Sequence, residues 1–92
     1  EVTRAVRAAV GEDVPVFYRT SSVDGVDGGI TMADTVALAR QLKAAGADVI
    51  DCSTGGVLGP SGVASVPPSP GYLVPYASEV RRQAGVASMA VG

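Results

Sequence analysis

Val14-Pro-Val-Phe-Tyr-Arg-Thr20 is the stretch that decides the fold. It is a short apolar run closed by a single cation, and a Ser/Gly/Asp-rich segment follows at once. Runs of this length, rich in β-branched and aromatic residues and bounded by Gly and Pro, read as buried strands. Arg19 is out of place in a core. At the carboxyl end of a strand in an α/β protein it is in place, because ligands gather there.

Outward from this strand the chain repeats one grammar. Upstream, Val2, Ala5, Val6, Ala9 and Val10 recur at helical spacing with Thr3, Arg4 and Arg7 on the other face, and Gly11 supplies a stop. Downstream, Ser21 to Ile30 reads as a loop, and Thr31 as a helix N-cap with Asp34 in the first turn. Leu38, Leu42 and Ala45 mark the expected buried stripe, Arg40 and Lys43 lie outside it, and Gly46 ends the helix. Ala47 to Ser53 reads as a second strand, and Thr54 to Pro70 as a long loop stiffened by Pro67-Pro68. A third helix is expected from near Pro75 through Val80 and Ala84 to Gly85, and a third strand from Val86 to Val91.

Helix and strand alternate through three rounds, which implies parallel strands joined by crossovers. Either a doubly wound sheet or a TIM (β/α)8 barrel meets that pattern. A barrel needs about 250 residues, so the 92 residues present would form about three of its units. The chain reads as a piece, one partial barrel over 1–92 with no second domain. Period-two alternation places Phe17 and Arg19 on one face of the first strand, with Val16 and Tyr18 toward the helices. On the second strand, Val49, Asp51 and Ser53 share the first face, while Ile50 and Cys52 turn to the helices. Arg19 and Asp51 are thereby expected to pair across neighbouring strands.

Composition narrows the function classes. The chain is 47% hydrophobic and 17% charged with a net charge of −2, an ordinary globular balance. It shows no basic patch for nucleic acid and no apolar run long enough to span a membrane. A single cysteine allows no internal disulfide and makes a reduced, cytoplasmic setting the expectation. Without histidine, the common zinc and iron–sulfur ligand sets are missing, and no metal ligand is assigned. Gly28-Gly29 and Gly55-Gly56 do not form a dinucleotide fingerprint.

Four segments carry a family resemblance: Phe17-Tyr-Arg-Thr-Ser21, Asp48-Val-Ile-Asp-Cys-Ser-Thr-Gly55, Pro70-Gly-Tyr-Leu-Val-Pro-Tyr76 and Ala90-Val-Gly92. In order and spacing they closely resemble the old yellow enzyme family, in its bacterial NADH:flavin oxidoreductase or NADPH dehydrogenase class. The resemblance implies a (β/α)8 barrel with FMN at its mouth and NAD(P)H as hydride donor. The implied reaction reduces the C=C bond of α,β-unsaturated carbonyl compounds. The implied partner is a small enone-type molecule rather than nucleic acid or membrane, and the oligomeric state of a full-length protein stays open.

Carried onto this sequence, the resemblance implies cofactor-binding roles for Arg19, Ser53 and Gly92 and no catalytic residue. Arg19 would face the pyrimidine end of the flavin, where reduction leaves negative charge, with Asp51 orienting it. The alternative is an arginine that merely pairs with Asp51. Ser53 would line the flavin site or cap a loop. Gly92 would open the phosphate cradle, or be an ordinary turn. A glutamine commonly follows the tyrosine of the Pro-Gly-Tyr segment in this class, and Leu73 stands there instead, so that contact is lost. Tyr18, Tyr72 and Tyr76 do not match the family's proton-donating tyrosine. Cys52 does not match its redox-tuning cysteine and reads as a small buried apolar residue. Two other readings remain open: another FMN barrel, of dienoyl-CoA reductase or dihydroorotate dehydrogenase type, and a barrel piece without catalysis.

Overall fold

The computed structural model describes residues 1–24, 28–54 and 70–91. Most of the long loop after the second strand, with Pro67-Pro68 and Gly55-Gly56, and the terminal Gly92 lie outside the described residues. So does the middle of the loop between Ser21 and Ile30.

Six elements alternate along the chain: α1 (Val2–Val10), β1 (Phe17–Ser21), α2 (Met32–Ala45), β2 (Val49–Ser53), α3 (Val74–Ala84) and β3 (Ala87–Ala90). The strands form one parallel sheet in the order β1-β2-β3. Each strand begins one to three residues later than its apolar run predicts. The early residues of those runs serve as connections: Asp48 donates its backbone N–H to Val16 O at 2.8 Å, just before the ladder starts.

Local chemistry sets the helix ends. Thr31 and Asp34 form a reciprocal capping box, with Asp34 N donating to Thr31 Oγ1 at 3.3 Å and Thr31 N to Asp34 Oδ2 at 3.0 Å. Gly46 closes α2 in the left-handed region at φ 108°, and Gly85 closes α3 at φ 65°. Pro75 lies in the first turn of α3, as its lack of an N–H favours.

The core lies between the sheet and α2 and α3. Ile50 and Cys52, on the helix-facing side of β2, meet Ala39 and Leu42 of α2 and Ala77, Val80 and Ala84 of α3. The buried stripe of α2 is Thr35, Val36, Ala39 and Leu42, so Leu38, expected inside, is 37% exposed. Thr35 takes the inner position because its hydroxyl donates to Ser22 O at 2.7 Å, which ties the start of α2 to the end of β1.

The first helix departs most from expectation. Among the described residues its apolar stripe finds no cover: Val2, Val6 and Val10 are exposed, and Thr3 is its one buried residue. Its polar face docks instead, through Arg7. That guanidinium donates to Gly46 O from Nε (3.0 Å) and Nη2 (2.7 Å), and to Gly11 O and Val14 O from Nη1 (both 2.8 Å). Arg7 Nη2 also pairs with Asp48 Oδ2, which accepts from Val16 N at 2.8 Å. One side chain thus joins α1, the entry to β1 and the turn between α2 and β2.

Candidate functional site

The expected pairing of Arg19 with Asp51 across neighbouring strands is observed. In the parallel register Phe17 lies beside Val49, Arg19 beside Asp51 and Ser21 beside Ser53. Period-two alternation then puts Arg19 and Asp51 on the face away from the helices. Arg19 Nε donates to Asp51 Oδ2 at 2.8 Å, and Nη2 lies 2.7 Å from the same oxygen. The two partners differ in exposure. The Asp51 side chain is 10% exposed, whereas that of Arg19 is 69% exposed.

Around the pair lies a cleft of about 180 Å³, lined by Arg19, Asp51, Cys52, Ser53, Tyr72, Leu73 and Val91. It gathers the carboxyl ends of β1 and β2, the turn before α3 and the residue that follows β3. Among the described residues, Arg19 and Asp51 are the charged groups in that lining. Two of the three expected cofactor residues, Arg19 and Ser53, are therefore brought together. The third, Gly92, lies outside the described residues.

Leu73 is nearly buried, at 4% exposure, and presents methyl groups where an amide would have offered a donor. Its contribution to the cleft is packing. Tyr72 lines the same wall half-buried. Residue order alone does not show that the turn before α3 folds back onto the ends of β1 and β2.

Behind the cleft, Cys52 faces the helix layer as expected, 1% exposed. Burial pushes its thiol above the ordinary cysteine range, which leaves it protonated and unreactive at neutral pH. Ser22, fully buried, approaches that thiol, yet its hydroxyl makes no hydrogen bond to any described group.

A larger cleft of about 560 Å³ opens at the other end of the strands, lined in part by Arg7, Lys43, Asp48 and Gly85. Its cations are already engaged: Arg7 as above, and Lys43 Nζ on Gly85 O at 2.8 Å. Its size reflects the uncovered amino-terminal edge of the sheet rather than groups poised for a ligand. The smaller cleft has the better chemistry.

Fold and site together define an α/β protein with its available polar groups gathered at the carboxyl ends of parallel strands, where α/β enzymes bind ligands. No protein-family model matches the chain. Curated proteins do. Over 80 residues, 87% of this chain, it is 41% identical to an NADPH dehydrogenase of Listeria monocytogenes serotype 4a, and likewise 41% identical to one of Halalkalibacterium halodurans. An NADPH dehydrogenase of Bacillus velezensis is 40% identical over the same length. The matched region is 22% of each relative, so the chain spans about a fifth of their length. The chain is thus similar to a segment of these NADPH dehydrogenases, the class that its four sequence segments resemble.

Proposed function

We propose that this chain supplies one wall of the flavin site in an FMN-dependent oxidoreductase that uses NAD(P)H to reduce the C=C bond of α,β-unsaturated carbonyl compounds. Bound FMN would carry the redox chemistry, taking hydride from the nicotinamide and passing it to the β-carbon of the alkene. The observation that carries the reading is Arg19, a largely exposed guanidinium fixed by Asp51 at the carboxyl edge of the sheet, in a chain homologous to NADPH dehydrogenases.

The residues present fit that cofactor. A flavin gains negative charge at its pyrimidine edge on reduction, and a permanently charged planar donor suits that edge. Arg19 donates from Nε to Asp51 and holds Nη2 in the ion pair, which leaves Nη1 to meet a ring. Ser53, half-buried in the same cleft, offers a hydroxyl. Leu73 and Tyr72 give the ring an apolar and aromatic wall. Gly92 would let backbone N–H groups approach the cofactor phosphate. These residues bind and orient. None of those lining the cleft is placed here as the acid that protonates the α-carbon, so that proton comes from elsewhere in the protein or from solvent.

Two helices on one face and Arg19 on the other support a (β/α)8 barrel, in which every helix lies outside and the mouth carries the ligand. The test is anaerobic. The full-length protein's flavin is reduced with NADPH, cyclohexenone is added, and the oxidised flavin band is followed. Its return, with formation of the saturated ketone, supports the proposal. If enones leave the flavin reduced while a dienoyl-CoA reoxidises it, or if dihydroorotate in place of NADPH reduces the oxidised flavin, the enzyme is a different FMN barrel.

A further inference from the structure

Resting on the flavin reading of the cleft, we propose that Asp51 is a positioning residue whose charge sets the redox potential of the bound flavin, by offsetting the positive charge that Arg19 presents to the ring. Its role in holding the guanidinium in place is the smaller part.

Both contacts of Arg19 fall on one oxygen, Asp51 Oδ2, at 2.8 Å from Nε and 2.7 Å from Nη2. The negative partner sits deep and the positive one is open, at 10% and 69% side-chain exposure. Solvent screens a buried charge less than an exposed one, so the carboxylate's field reaches farther into the cleft than its distance alone implies. The balance is also local. Among the described residues, Arg19 and Asp51 are the charged members of the cleft lining, and the residue beside Asp51 on the next strand is Met89. With both present the wall is neutral and acts as a dipole with its positive end outward. With Asp51 neutralised, the same wall carries a full positive charge.

A ligand that gains negative charge on reduction distinguishes these two walls. The cation stabilises the reduced form, and Asp51 subtracts from that stabilisation. Binding and reduction are linked, so whatever favours the reduced ring over the oxidised one raises its midpoint potential.

The experiment compares the full-length FMN-loaded protein with Asp51→Asn and Asp51→Glu. Asparagine is isosteric, and its amide oxygen still accepts from Arg19, so the guanidinium keeps its pose. Anaerobic equilibration with a reference dye gives the midpoint potential, and titration of the apoprotein gives FMN affinity in each redox state. In Asp51→Asn, binding of reduced FMN should strengthen relative to oxidised FMN by about tenfold, in the ordinary range of coupling between sites, and the potential should rise. Asp51→Glu should bring it back toward the unmodified value. If the asparagine variant does not fold, Asp51→Ala asks the same question. A potential that stays constant across the variants while FMN affinity or melting temperature falls would make Asp51 structural only and overturn the proposal. A full-length protein that takes up no FMN at all would instead overturn the flavin reading on which the proposal rests.

Discussion

Two arginines mark opposite ends of the same sheet, and their surroundings separate structure from function. Arg7 is 19% exposed in its side chain and satisfies three backbone carbonyls and a carboxylate. Arg19 is open and held by one carboxylate oxygen. An arginine with every donor engaged is a staple, and one with donors to spare is available to a ligand. Arg19→Ala in the full-length protein is therefore expected to lower the flavin midpoint potential and weaken FMN retention. Arg19→Lys should restore part of both, because an ammonium lacks the planar fork. Spectroelectrochemical titration checks this, and an unchanged potential in the alanine variant would leave Arg19 as half of an ion pair. The staple has a pH signature of its own. The N–H of Val16, and then Arg7, hold the Asp48 carboxyl below its ordinary range. In the unfolded chain Asp48 titrates near ~3.9, so in acid the unfolded state binds the proton first. The contribution of Asp48 to stability is fully present above about pH 4 and is lost as pH falls through the lower folded value. Asp48→Asn should accordingly unfold more readily than the unmodified protein at pH 7, and the gap should narrow toward pH 3. Denaturant melts at the two pH values measure it.

At the scale of elements, Gly46 joins the packing of α1 to the end of α2. Its φ of 108° is closed to most side chains, and a Cβ there would come within 3.0 Å of Arg7 Cγ. Gly46→Ala should cost about 1–3 kcal/mol, the range for a residue forced into such a backbone region, and should loosen α1 as well as α2. Hydrogen exchange in α1 reports the second effect. Thr31→Ala removes the reciprocal cap and should cost about 1 kcal/mol without disturbing α1. The contrast between these two sites shows what the sequence made legible. Thr31, Gly46 and Gly85 act on their own neighbours, so helix ends could be read from residue type. The Arg19–Asp51 pair was legible too, because period-two alternation on two strands one βα unit apart puts both on one face, and the parallel register then sets them side by side. The exposed stripe of α1 was not. Periodicity tells which side of a helix favours burial and is silent on whether this chain supplies something to cover it. Leu38 lost its expected inner place to Thr35, whose buried bond to Ser22 O joins distant backbone. The Arg7 staple escaped for a related reason, since its acceptors are mostly main-chain carbonyls, which every residue carries. Of the cleft, the strand positions of Arg19 and Ser53 could be read from the alternation, whereas the approach of Tyr72 and Leu73 to those strand ends depends on how the turn before α3 folds back.

For the whole molecule, the decisive quantity is how much of a cofactor site these residues enclose. The cleft beside Arg19 is about 180 Å³, whereas pockets that enclose a cofactor or drug-sized ligand run to roughly 300–1,000 Å³. On the flavin reading proposed above, one such wall would meet one edge of the ring, and FMN affinity would need the opposite wall and a phosphate cradle as well. Among the described residues, β1 and β3 each have one neighbouring strand, so both outer edges carry unpaired backbone groups. Phe17 on the face away from the helices is 56% exposed, and the α1 valines add further open apolar surface. A 92-residue chain with two open edges and so much uncovered apolar area is expected to associate with itself and to bind FMN weakly or not at all. Flavin fluorescence provides the measurement. Titrating the purified 92-residue chain into FMN should leave emission nearly unchanged up to tens of micromolar, a range set by the affinity scale on which micromolar binding corresponds to about 8 kcal/mol. Sedimentation of the same samples should show assemblies larger than one chain. Submicromolar quenching by a monomeric chain would mean that these residues enclose the flavin unaided, and the division of the site between this segment and the rest of a barrel would have to be redrawn.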